Sequence, residues 1–411
     1  MKNVICFTVT ALAAVLLSCS SGDRRSGVVT LDWWQFWTDP SVKPTIEQIV
    51  ADFEAQNPGI NISITDLTWA NGHEKIVMAF ASGTAPDIVE LGSDWIPELS
   101  SAGKLADLTG DAAGDSADFS AWTPGTYDNQ IYAFPWILGT RVLYINTVLM
   151  TRAGYDEDFV PFNWPQLKEL CYKIDSLGKD MYGFGANAAE KHRLYKKFLP
   201  FLWSNGGSIM SRDGSFSTIA SDKSYAALKF YKELCDSTGM VDTQRRLEDA
   251  FLEGKVGVII SGDWLLKRIR NEQHDIPFIT ALIPGPKFPG KSFVGGEYLA
   301  VSRQSKYKSA AIKFIRFLTS RDNQLLFCKA NYTATPSSKT AAKDPFFAKD
   351  PQLQTFVKQL NLSKMPKVDQ HWVYIEDVLE TTLENVLYQG APVAESLYEA
   401  KLEIEKIVSG Q

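Results

Sequence analysis

Residues 79–109, AFASGTAPDIVELGSDWIPELSSAGKLADLT, decide how this chain folds. Gly83 and Pro86 end a helix, because glycine tolerates positive φ and proline has no backbone donor. Asp87 to Leu91 is a short apolar run between turn signals, the pattern of a buried strand. Gly92-Ser93 turns the chain, and Ser93 is read as the N-cap of a helix beginning near Asp94. In open α/β sheets ligands bind beyond the carboxyl ends of strands, so Asp94 and Trp95 are placed at a mouth. One offers two acceptor oxygens and the other a flat apolar face.

The same grammar extends outward from this stretch. Val28–Trp34 reads as a first strand, Thr45–Gln56 as a helix stopped by Asn57-Pro58-Gly59, Ile60–Leu67 as a second strand and Asn71–Ala81 as a helix. Strand, helix, strand, helix, strand is the signature of a parallel sheet. Trp33, Trp34 and Trp37 cluster at the end of the first strand. Alternation sends Trp33 and Trp34 to opposite faces, and Trp34 and Trp37 are taken as ligand candidates. Residues 251–264, FLEGKVGVIISGDW, repeat the arrangement: a buried strand Val256–Ile260, then Gly262, Asp263 and Trp264 at a second mouth. Two such mouths can face each other across a cleft.

Ile131–Asn146 reads as strand, break, strand, with the break at Pro135-Trp136 and Gly139; Trp136 and Arg141 flank it as candidates to stack on or hydrogen-bond a ligand. Pro284-Gly285-Pro286 and Tyr332–Pro336 read as two further crossings. Gly295 and Gly296 allow close backbone approach to a ligand, with Glu297 beside them. Trp372, just before a C-terminal helix, is the last candidate. No Arg/Lys cluster is found at either mouth, which argues against a strongly anionic ligand.

At 411 residues the chain exceeds one typical domain. With 45% apolar and 22% charged residues it is globular. Its formal charge of −6, without a basic stripe, argues against nucleic acid. Lys2, the apolar run Val4–Leu17 and Leu16-Leu17-Ser18-Cys19 form a targeting segment too short to span a bilayer. Polar residues 20–27 form a flexible tether. Beyond Cys19, the cysteines are Cys171, Cys235 and Cys328, too few for a disulfide framework and read as buried thiols. His73, His192, His274 and His371 show no metal-ligand spacing, and neither a metal nor a cofactor is expected.

Several motifs occur together and in order: S-G-T-A-P-D-I and G-K-L-x-D-L-T in the opening stretch, F-E-x-x-N-P-G-I-x-I at 53–62, and Y-x-x-P followed by L-Y-x-N at 132–146. F-x-x-G-K-x-G with G-D-W at 251–264, Gly295-Gly296 with Ser302, and A-x-x-F-x-x-x-L at 311–318 follow. This set resembles the extracellular solute-binding proteins of sugar ABC transporters, the maltose-binding-protein-like group, and Leu-Leu-Ser-Cys resembles a bacterial lipobox. The resemblance implies a two-lobed α/β periplasmic-binding-protein fold of type II, each lobe a mainly parallel sheet flanked by helices and joined by crossovers. It places the signal peptide at 1–18, a lipidated Cys19 and tether at 19–27, one lobe at 28–138 plus 286–332, and the other at 139–285 plus 333–411. It implies a monomeric, lipid-anchored protein of the bacterial cell envelope, in the periplasm or on the outer face of the cytoplasmic membrane. Such a protein captures a sugar or oligosaccharide by hinge closure and hands it to membrane permease subunits. The rival reading is a glycoside hydrolase using cleft carboxylates ~5–9.5 Å apart, drawn from Asp94, Asp263 and Glu297.

Overall fold

The computed structural model describes residues 27–410 apart from 116, 189, 191, 288, 333–334 and 367–369; the signal peptide and Cys19 lie outside the described residues. Twelve strands fall into two five-stranded sheets and one small hairpin. The first sheet holds β1 (Val29–Gln35), β2 (Ile60–Asp66) and β3 (Ile88–Gly92). Thr126–Tyr127 (β4) and Gln130–Ile131 (β5) form the hairpin, and β6 (Ala133–Thr140) returns to the first sheet. The second sheet holds β7 (Val142–Asn146), β8 (Tyr182–Asn187), β9 (Gly239–Asp242), β10 (Val256–Ser261) and β11 (Phe278–Ala281), and β12 (Val294–Val301) closes the first. The orders are β2-β1-β3-β12-β6 and β11-β7-β10-β8-β9.

One strand in each sheet runs against the rest. β12 is antiparallel to β3 and β6, and β7 is antiparallel to β10 and β11. The cause is the route of the chain. The parallel strands end at the gap between the sheets, whereas β7 and β12 begin there after crossing it, so they must run the other way. The first crossing is a single residue, Arg141, between β6 and β7. Pro135, Trp136 and Gly139 therefore lie inside a continuous strand and not at a break. Pro135 is tolerated because β6 is an edge strand. A register shift opposite Trp136 forms a bulge, which turns that side chain inward.

The second crossing lies between β11 and β12. It is anchored by Trp164, whose Nε1 donates to the Pro284 carbonyl at 3.0 Å, so Trp164 is structural. The third crossing comes later than Tyr332–Pro336. The backbone of Leu138 donates to the Thr335 carbonyl and that of Ser337 to the Trp136 carbonyl, so this segment still rides on the first sheet. The chain reaches the second sheet at the helix Pro351–Leu362, where the Thr280 hydroxyl donates to the Gln352 carbonyl at 3.3 Å.

The helices follow the apolar spacing that predicts them. Lys43–Gln56 buries Ile46, Ile49, Val50 and Phe53 on one face. Gly83, at φ 76°, caps Gly72–Ser82 in the left-handed region. Ser93 is not an N-cap: the next helix is Ile96–Ser101, and the Ser93 amide instead donates to the Gly296 carbonyl at 2.9 Å. Cys171, Cys235 and Cys328 are buried, and burial pushes the Cys171 and Cys235 thiols up.

Candidate ligand site

Between the facing ends of the sheets lies a cavity of about 460 Å3. From the first sheet it takes Trp37 beyond β1, Gly92 to Trp95 at the end of β3, Ile137 to Gly139 of β6, and Phe293 and Gly295 to Glu297 at the start of β12. From the second come His192, Arg193, Lys196 and Lys197 at the start of the helix Leu194–Ser204. Gln244, Arg245 and Glu248 of the helix Gln244–Leu252 join them, with Asp263 and Trp264 beyond β10. Trp69 and Asn331 complete the wall, and Arg141 stands where the sheets join.

Nine of the twelve residues expected at the site are therefore brought together: Trp37, Asp94, Trp95, Arg141, Asp263, Trp264, Gly295, Gly296 and Glu297. Trp34, Trp136 and Trp372 are not. Trp34 lines a separate shallow groove with Thr65 and Met78, and its indole donates to Asp32 at 3.0 Å. Trp136 is fully buried, with ring centroids 6.1 Å from Trp33, 6.0 Å from Trp37 and 4.9 Å from Phe327. Trp372 opens the helix Trp372–Tyr388 and packs into the core 6.2 Å from Tyr195.

Trp264, the indole of the second mouth, is 37% exposed. Its Nε1 donates to Glu248 Oε1 at 2.7 Å, which pins one edge, and the Arg141 guanidinium and Lys197 ammonium lie over the ring at 5.3 and 5.7 Å. A Cβ on Gly262 would fall 1.9 Å from its ring, so only glycine leaves room for the indole there. The same Glu248 oxygen also accepts from Gln244 at 2.7 Å and from Ser261 at 2.8 Å.

Asp94 is also committed. Lys196 Nζ lies 2.9 Å from its Oδ2, and the Tyr195 hydroxyl is 3.4 Å away. Burial works against the Asp94 charge, but Lys196 outweighs it and holds the carboxyl below its usual range. The pair ties the loop after β3 to a helix of the second lobe. Behind it, His192 Nδ1 meets Glu376 Oε1 at 2.5 Å. Burial opposes the imidazolium, yet Glu376 and Asp94 together raise its pKa.

Glu297 differs. Burial first, and then the charge of Asp263, push its carboxyl up to about 8, so it is largely protonated at neutral pH. Arg141 lies over the Phe293 ring at 4.9 Å and the Trp264 ring at 5.3 Å. Its Nε is buried with no hydrogen-bond partner among the described residues.

The expectation that the mouths lack a cationic cluster fails. Arg141, Arg193, Lys196, Lys197 and Arg245 all line the cavity. The first stands at the crossing and the others belong to helices rather than to the strand-end mouths, so reading strand ends alone missed most of them. A signal was present: Lys196 and Lys197 interrupt the otherwise apolar helix run LYKKFLPFLW, and Lys197 is buried. Nothing in the sequence marked Gln244–Leu252 as a wall.

With the geometry in hand, comparison is informative. The family model described as bacterial extracellular solute-binding protein matches residues 39–325. The chain belongs to that family. Among its relatives, the galactooligosaccharide-binding protein of Bacillus subtilis is 26% identical over 89% of each chain. The maltooligosaccharide ABC transporter solute-binding lipoprotein of Streptococcus pneumoniae is 23% identical over 88% of this chain and 87% of the other. An ABC transporter solute-binding protein of Thermotoga lettingae, solved bound with α-D-tagatose, superposes with a TM-score of 0.85 at 23% identity, covering 92% of this chain and all of that one. The two-lobed solute-binding fold expected from the sequence is thus the fold observed, and the family is one of binders, not of catalysts. In this solute-binding protein the cavity occupies the space between the lobes.

Proposed function

We propose that this protein is the substrate-binding component of an ABC importer, capturing a sugar or oligosaccharide in the cavity between the sheets and delivering it to the permease. The observation that carries the reading is Trp264: a half-open indole face, held at its edge by Glu248, beside the polar groups Arg141, Asp263 and Glu297. A pyranose offers an apolar C–H face to such a ring and a hydroxyl rim to such groups. The names of the Bacillus and Streptococcus relatives agree with it. The lobes are taken as 28–138 with 286–332 and 139–285 with 333–411, save that the hydrogen bonds of residues 335–337 attach that short segment to the first lobe. The hydrolase alternative finds little support, because Asp94 is committed to Lys196 and the family and the named relatives are solute-binding proteins.

The test is thermal stability of the mature chain against a sugar panel. A ligand at 100 times its Kd adds about 2.7 kcal/mol. A shift with one sugar class, lost in Trp264→Ala, supports the reading; shifts only with amino acids or peptides refute it. Anchoring through Cys19 is tested separately. Palmitate should label the wild-type chain in cells and not Cys19→Ser, and label retained by the variant refutes the lipid assignment.

A further inference from the structure

The cavity holds more hydrogen-bond donors than its own acceptors satisfy. Among its lining residues, the buried nitrogens Trp95 Nε1 and Arg141 Nε have no partner within the described residues, against a single such acceptor, Gln244 Oε1, while the Trp37 indole serves the buried Glu90 carboxyl. Buried donors are normally paired, so an excess of this kind asks for a ligand rich in acceptors.

The charges point the same way. Asp94 is neutralised by Lys196 at 2.9 Å. Glu248 is engaged by Trp264, Gln244 and Ser261, with Arg268 Nη1 4.0 Å away. Burial works against the Arg141 charge, and the nearby Glu297 and Asp263 carboxyls favour it. Arg193 has no ion pair among the described residues and lines the cavity. Arg245, by contrast, faces Asp249 at 3.5 Å and Glu272 at 3.9 Å. The buried Lys197 donates through Nζ to the Ile260 carbonyl at 2.8 Å, and Arg141 and Arg193 line the same cavity.

We infer that the solute carries an oxyanion, a carboxylate or phosphate ester on the sugar, and that Arg141 and Arg193 receive it while Trp264 takes the ring. This rests on the sugar reading above and narrows it to acidic carbohydrates. A guanidinium presents a planar fork of donors that matches either oxyanion, and Arg141, stacked between Phe293 and Trp264, is oriented before the ligand arrives.

Calorimetric titration of the mature chain tests this with matched ligands: galactose and glucose and their oligomers, the corresponding uronic acids, and the corresponding 6-phosphates, each at low and at moderate salt. The expected result is at least about tenfold tighter binding of one acidic form than of its neutral counterpart, equivalent to about 1.4 kcal/mol. Arg193→Gln should cost the acidic ligand at least about tenfold more than the neutral one, and Arg193→Lys should restore part of the difference. The uronate and phosphate arms distinguish the two oxyanions. Neutral sugars bound as tightly as acidic ones overturn the inference and leave the sugar reading standing. Binding of simple carboxylates or phosphate esters with no sugar bound overturns the sugar reading and keeps the oxyanion site. A protein that melts cooperatively and binds none of these overturns both.

Discussion

Replacing Lys196 by methionine isolates the ion pair that joins the two lobes. Asp94 and Lys196 have side chains only 7% and 14% exposed, with 2.9 Å between Oδ2 and Nζ. Without the ammonium, the Asp94 carboxylate keeps the Tyr195 hydroxyl at 3.4 Å, a backbone hydrogen bond and the field of His192. Removing one partner of a buried pair costs about 3–5 kcal/mol, because the other charge is left desolvated. At roughly 2 °C per kcal/mol for a large chain, the melting temperature should fall by about 6–10 °C. The pH profile should also change sign. In the wild type Asp94 is held below 3.8, so its contribution is present above that value and is lost as pH falls through the folded pKa. In Lys196→Met burial, the largest influence, outweighs the remaining backbone hydrogen bond and His192 field and raises the pKa, so this contribution is greatest in acid and declines as pH rises. The double variant Asp94→Asn/Lys196→Met removes both charges and should recover most of the loss. Thermal and urea denaturation, followed by tryptophan fluorescence from pH 3 to 8, measure all three variants. If Lys196→Met is no less stable than the double variant, with a coupling under about 0.5 kcal/mol, the pair does not bear on stability and the reasoning fails.

Trp136→Ala should cost about 3–5 kcal/mol of stability by opening a core cavity, and leave solute affinity within about twofold; a tenfold loss of affinity in the folded variant would place Trp136 at the ligand after all. Gly262→Ala drives a methyl group into the Trp264 ring and should weaken binding about as much as Trp264→Ala does, at least about tenfold; unchanged affinity by titration would contradict the part assigned to that indole. Because the Glu297 pKa is raised from 4.5 to about 8, its contribution to stability is full below pH 4.5 and is lost as pH rises towards 8. Glu297→Gln should therefore flatten the stability profile across that window, and a slope equal to wild type would show that Glu297 titrates normally.

Periodicity carried most of the fold because its elements are built on regular apolar spacing. The helix Gly72–Ser82 and the strands Ile60–Asp66 and Val256–Ser261 stand within a residue of where the pattern puts them. What the pattern could not show is tertiary. Pro135 and Gly139 look like a strand break in one dimension, yet an edge position and a bulge absorb them. Trp136 and Trp372 look like exposed aromatics beside turns, but the bulge and the helix start turn both into the core. The strand-end acids and indoles were legible because open α/β sheets present their ligands there. The helix-borne wall of Arg193, Lys196, Lys197 and Glu248 was not, since which helix face meets the gap depends on how the two sheets are set against each other.

The one-residue link between β6 and β7 has a mechanical consequence. If one lobe rotates against the other, a pivot moves least, and Arg141 is built into a pivot. Trp264 and Arg193 ride on the lobe and sweep an arc as it swings, whereas the Arg141 guanidinium would hold nearly the same station throughout. The spacing between the Arg141 guanidinium and the Trp264 ring, 5.3 Å in this arrangement, would open and close with that swing. Lengthening the link by one glycine would be the direct way to loosen it.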